Sequence, residues 1–337
     1  MADVEFRKPE DYSDHKVRFV RHAGSSGPGS KEYVQKFLFD SDNPRIGIHF
    51  DNKASFNEDH YSSGGYMVRY LNNMADEPTL VVVSFSSKSK GEKYVAEVVG
   101  DSREVVVIDT KEERIAETAS VETSEGRLQK LEDTYDEVLP DDDDRYKLFK
   151  TVQVSGWLAV AQHSSMPLWH WHSVQSVHGP SENASLKREY VRSVYTGAET
   201  PRKLLVLSNE QQELLVEKYL RYKVFDEKNF RLDAPRGGRL EAIDILGHAD
   251  EEQIFASVTA SSGSHEDERI AEINQYGQKG RAFFFGVGYD DDEDDDKGPD
   301  SLSEEVDYIA LEEVFDWMND AADHRRESLD VMLGAAD

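Results

Sequence analysis

From Leu207 onward the apolar residues keep switching between a helical and a strand period, and that order leaves few ways to fold. LSNEQQELLVEKYLRYKVF places Leu214, Leu215, Tyr219 and Leu220 on one helical face. Ser208 stands at its N-cap with Gln211 three residues on, the capping-box spacing. A Pro/Gly turn, APRGG, comes next, then two apolar runs, AIDILGHA and IFASVT, around the polar turn DEEQ. HEDERIAEINQYGQ returns to the helical period and RAFFFGVG to the strand. Residues 200–290 are therefore expected to form a compact α/β domain of order αββαβ. Beyond it, residues 291–300 read as a solvated acidic loop, without the glycine-punctuated spacing of a calcium loop. Residues 301–337 read as a helical segment with a break near Tyr308.

Residues 1–185 read as a β-rich domain, making the whole chain α+β. KVRFVRHAG is a strand entering a Gly/Ser turn, SKEYVQKFLFD a short helix, RIGIHFD a strand and GGYMVRYLNNM a helix. TLVVVSFSS and YVAEVVGD are paired strands joined by the basic turn KSKGEK, and EVVVID is another strand. The stretch 111–145 is an acidic insertion, an exposed helix or mobile loop ending in LPDDDD. YKLFKTVQVSGWLAVA is strand-like, and GPSENASLKREYVRSVYTGAETPRK reads as a polar connection.

A chain of 337 residues has room for two domains with their own cores. Its 68 acidic against 39 basic residues give a net charge of -29, spread over the whole length. That surface suits molar salt, where charge repulsion is screened, as in the cytosol of a halophilic archaeon. With no cysteine, disulfides and thiolate zinc sites are excluded. No apolar run approaches membrane-spanning length and MADVEFRKPEDYSDHK is not a signal peptide, so a cytoplasmic protein is expected. Acidity opposes phosphate binding, yet in molar salt the counterion-release contribution is small for any protein, so charge does not exclude nucleic acid. No dinucleotide fingerprint, P-loop or serine-hydrolase elbow is present. The histidines of HSSMPLWHWH (His163, His170, His172) lack an acidic or thiolate partner at a useful spacing, so zinc is not expected.

From Leu207 to about Tyr289 the chain resembles the Mrr-type restriction endonuclease domain of the PD-(D/E)xK superfamily. The residues that carry the resemblance are the helix LSNEQQELLVEKYLR, the turn APRGG, IDILG with Asp244, IFASVT, and INQYGQKGRAFFFG. The resemblance implies a DNA endonuclease in which Glu213 and Asp244 hold Mg²⁺. Phosphodiester hydrolysis needs such a hard cation on oxygen ligands to activate water and offset charge on the phosphorane. The next strand departs from the pattern: Ser257 and Thr259 occupy the positions where the family has Glu or Gln and Lys. Alternate strand positions share a face, so both altered side chains point to one site. Lys279 is the nearest lysine that could substitute.

The order of strands and helices in residues 1–185 is similar to the PUA/EVE-like β-barrel found on some Mrr-like proteins, which implies inspection of modified bases in DNA. A reader of a flipped base needs an aromatic wall and fixed polar groups. Trp157, Trp169, Trp171, Tyr66, Phe50 and His170 are candidates for the wall. Arg21, His22, Lys88, Lys90, Lys93 and Arg236 are candidate phosphate contacts. Two readings follow, a Mrr-like genome-defence nuclease with an altered site and a non-catalytic nuclease-fold protein that binds DNA or a protein. Either would accommodate a homodimer or a partner in a defence complex.

Overall fold

The computed structural model describes residues 8–22, 30–49, 52–62, 64–85, 93–121, 125–136, 145–160, 167–168, 182–225, 229–233, 243–249, 251–260, 264–287 and 298–334. The chain is a mixed α/β protein that divides into two units, Met1–Thr200 and Pro201–Asp337.

In the first unit one sheet has the order β1-β3-β4-β8, from Lys16–His22, Thr79–Phe85, Lys93–Glu97 and Leu158–Ala159. β1 and β3 run parallel and the other pairs antiparallel. The second sheet, β2-β7-β5-β6, is antiparallel throughout and uses Arg45–Ile48, Tyr146–Gln153, Glu104–Asp109 and Arg114–Ser120. Helix α1, Ser30–Tyr33, continues as a π turn, Val34–Phe39. Helix α2 is Gly65–Asp76 and α3 is Glu125–Asp136.

Val81, Val83 and Ala96 of the first sheet form one core with Val105, Val107, Leu148 and Val152 of the second and Val68, Leu71 and Met74 of α2. The opposite face of β5, Val106 and Ile108, packs on Val34 and Leu38 of the π turn. A strand buried on both faces needs apolar residues at every position, which explains the unbroken VVVI of EVVVID. The two sheets meet at a corner through the isolated Val98–Val154 bridge. Among the described residues they do not close, so the expected barrel is two open sheets.

Two further expectations are corrected here. Within the acidic insertion, RIAETAS is the edge strand β6 and only the residues after it are helical. The polar connection contains helix α4, Glu182–Thr196, which buries Leu186, Tyr190 and Val191. Its Arg192 Nη2 donates to the carbonyls of Ser13 and His15 and ties the helix to the start of β1.

In the second unit a five-stranded sheet has the order β13-β12-β11-β10-β9. Its strands are Arg231–Leu232 (β9), Ile245–Ala249 (β10), Glu252–Val258 (β11), Arg281–Gly286 (β12) and Val306–Ala310 (β13). β9, β10 and β11 form an antiparallel meander, and β11, β12 and β13 run parallel. Helix α5, Asn209–Tyr219, precedes the meander, and α6, Ser264–Gly277, is the crossover between β11 and β12. Helices α7, Leu311–Asn319, and α8, His324–Leu333, end the unit.

The run RAFFFG is buried from both sides, as a central parallel strand must be. Phe284 packs with Ile270 and Ile273 of α6. Phe283 and Phe285 face the other way, Phe285 meeting Tyr219 of α5 at 6.3 Å. Helices α5 and α6 therefore cover opposite faces of the sheet. The expected αββαβ core is present, enlarged by β9 and by β13. The residues VDYIA, expected to be helical, pair with β12 instead, and the helices α7 and α8 begin only after them.

Candidate functional site

Asp244 sits one residue before β10 and opposite Ser257 in the antiparallel ladder, since Ile245 pairs with Ala256. Its backbone N–H donates to the Ala256 carbonyl at 3.0 Å. This brings the Asp244 carboxylate and the Ser257 hydroxyl to one face, the one covered by α6. Ser257 is completely buried, and Thr259, which donates its N–H to the Phe285 carbonyl at 2.9 Å, is nearly so.

The cation at this place comes from the chain. Arg269, on α6, donates from Nη1 to Asp244 Oδ2 at 2.5 Å, to Ser257 Oγ at 3.3 Å and to the Val258 carbonyl at 3.1 Å. Asp244 Oδ2 also accepts from the Val258 N–H at 2.7 Å. The Asp244 and Arg269 side chains keep 11% and 17% of their exposure, so the pair is largely shielded from water. An ion pair this dry is held by Coulomb attraction and hydrogen bonds together, and removing one partner leaves a buried charge uncompensated.

Asp244, the Ser257 hydroxyl and the Val258 carbonyl are oxygen donors of the kind Mg²⁺ takes. A guanidinium already lies among them, and a cation entering here would meet its charge at contact distance. The residues present do not fit a resident Mg²⁺. Among the described residues, no group of three or more His, Asp or Glu side chains is arranged to hold a metal ion.

Glu213 is half-buried on α5, whose packing through Tyr219 sets that helix on the face opposite α6. Lys279 does not substitute for the missing lysine. β11 and β12 pair from Ile254–Arg281 to Val258–Phe285, so Lys279 lies before the start of that pairing. Asp244 is level with Ser257, three residues beyond Ile254, roughly 10 Å along the strands from the start of that pairing. The Lys279 ammonium instead lies 4.5 Å from the centroid of the Tyr276 ring.

Sequence reasoning overlooked Arg269. The signal was a single arginine in the acidic run HEDER, directly before Ile270 and one turn before Ile273, the residues that face the sheet. A long side chain bordering an apolar face reaches back over the preceding turn, here towards the end of β11.

Of the candidate DNA contacts in the first unit, Arg21, Ser84 and Lys93 form one lateral row across β1, β3 and β4. Lys93 is buried, and that burial, reinforced by the Arg21 charge, holds its amine down at about 8. His22 belongs to the opposite face, where it stacks on Phe85 at 5.2 Å. Trp157 stacks on Phe39 at 4.4 Å and donates its indole N–H to the Phe39 carbonyl at 3.1 Å. It packs against the core between the sheets. Tyr66 is 51% exposed on α2. Phe50, Lys88, Lys90, His163, Trp169, His170, Trp171, His172 and Arg236 lie outside the described residues.

Comparison with protein-family models, curated proteins and solved structures returned no match to this chain. No helix among the described residues is long and apolar enough to cross a membrane.

Proposed function

We propose that this protein is a Mrr-like genome-defence protein that binds DNA without cutting it. In this reading its second unit is a PD-(D/E)xK-type core whose metal-binding carboxylate has been retired, and its first unit, two open sheets in place of the expected barrel, is the module that examines the DNA. The observation that carries the non-catalytic reading is the Asp244–Arg269 pair. A nuclease of this chemistry needs that carboxylate on a metal and a separate cation at the phosphate. Here one arginine engages the carboxylate, and the positions of the second acid and the lysine are Ser257 and Thr259. The nuclease lineage is supported by the order of elements around Asp244, a helix, an antiparallel meander, a crossover helix and a parallel strand.

The test is incubation of the full chain with linear and supercoiled DNA, modified and unmodified, in molar KCl with Mg²⁺ or Mn²⁺. Fluorescence anisotropy reads binding in parallel. We expect binding without nicking. Metal-dependent nicking that disappears in Asp244→Ala would establish a working active site and sink this proposal.

A further inference from the structure

All three of the hydrogen bonds that Arg269 makes to described residues leave from one arm of its guanidinium, Nη1. Nη2 donates to none of the described residues, and 17% of the side chain is still open to solvent. A guanidinium is a rigid planar fork. With Nη1 fastened to Asp244, Ser257 and the Val258 carbonyl, the other arm cannot swing freely. Its orientation is set before any ligand arrives, which lowers the entropic cost of binding. The group stands at the end of β11, beside the parallel pair with β12. In open α/β sheets, ligands collect outside the carboxyl ends of the strands.

We infer that Arg269 is a phosphate-binding residue. One arm occupies, against Asp244, the position a divalent cation would take, and the other donates to a non-bridging oxygen of a DNA phosphodiester. The inference rests on the DNA-binding reading above and names a contact within it. A phosphodiester suits the arrangement because the Asp244–Arg269 pair is neutral overall. It offers directed donation instead of excess charge, and a charge-assisted N–H···O⁻ bond is strong at short range even where salt screens longer reach.

The carboxylate and the guanidinium should have opposite effects on affinity, and this separates binding from mere support of the fold. Anisotropy with a labelled duplex, across a range of molar KCl, compares the wild-type chain with Arg269→Gln, Arg269→Lys and Asp244→Asn. Arg269→Gln should weaken binding about tenfold and reduce the salt slope by about one ion. Arg269→Lys should recover part of that loss. Asp244→Asn removes a negative charge beside the phosphate while leaving an oxygen acceptor for Nη1, so it should tighten binding. A purely supporting role predicts no gain for Asp244→Asn and no partial recovery in Arg269→Lys, and Arg269→Lys, which keeps a cation against Asp244, decides the matter if either neutral variant fails to fold. If the wild type binds DNA and Arg269→Gln binds equally well, or Asp244→Asn gains nothing, the inference is overturned and DNA binding stands. If the wild type binds no duplex, both fall.

Discussion

Asp109 and Asp244 are both aspartates at strand ends held by an arginine, and their surroundings give them different consequences. Asp109 has no exposed side-chain surface. It accepts from Nε and Nη2 of Arg145 at 3.2 and 3.0 Å and from the backbone N–H groups of Lys111 and Glu112, both at 3.1 Å. The Arg145 hydrogen bonds, helped by the backbone donors, hold its carboxyl below the ordinary carboxylate range, against the opposing effect of burial. The folded chain therefore binds fewer protons here than the unfolded one. The stabilisation is fully present above the ordinary carboxylate pKa and is lost as pH falls through the folded value. Asp109→Asn should lower the urea midpoint at neutral pH and flatten the acid limb of the midpoint-against-pH curve. An acid limb identical to wild type would refute this account. Asp244, by contrast, sits with an arginine that uses only one arm on the described residues.

At the scale of elements, helix α5 starts where the sequence says it should. Ser208 Oγ accepts from the Gln211 N–H at 3.1 Å, and the Gln211 side chain accepts from the Ser208 N–H at 2.8 Å. The Gln211 amide also donates to the Met332 carbonyl at 3.1 Å, so the cap fastens α5 to α8. Ser208→Ala should cost about 1 kcal/mol in chemical denaturation, and a loss below a few tenths would show that the cap is dispensable. Capping is legible because it is written within four residues. Helix α4 was harder to read because its apolar positions, Leu186, Tyr190 and Val191, are few and are interleaved with Lys187, Arg188 and Glu189. Its apolar face packs on β1, β3 and β4, a surface the helix's own residues do not announce. The same holds for β13, since VDYIA is too short for its pattern to decide and becomes a strand against the open edge of β12. Lys150 shows the limit from the other side. Its side chain is completely buried in β7, with the ammonium donating to the Lys53 carbonyl at 3.0 Å and lying 5.2 Å from the Tyr61 ring centroid. Nothing in YKLFKTVQ marks that lysine as interior.

For the whole molecule, the net charge of -29 is the dominant physical fact. Like charges spread over a folded surface repel, and the repulsion is relieved when the screening length falls to about 3 Å near 1 M salt. The thermal midpoint should therefore climb as KCl is raised into the molar range, measured by differential scanning fluorimetry. A midpoint independent of KCl would mean that the carboxylates are compensated locally. In molar salt a short, directed hydrogen bond keeps its strength better than the long-range attraction of a diffuse basic surface.

The sequence by itself determined the period of most long elements of the second unit, the capped start of α5, the two strands around the DEEQ turn, and the acidity of the chain. These depend on neighbours along the chain or across one turn, where spacing alone specifies geometry. The tertiary structure decided that the first-unit sheets do not close among the described residues, that VDYIA is a strand, and that Lys279 lies in the turn before β12, away from Asp244. It also decided which cation meets the carboxylate. Arg269 is 25 residues from Asp244, and the two meet only because α6 crosses the face on which Asp244 and Ser257 are already paired. A pattern can show that a charge is missing from a strand, but only packing shows that a helix has supplied one.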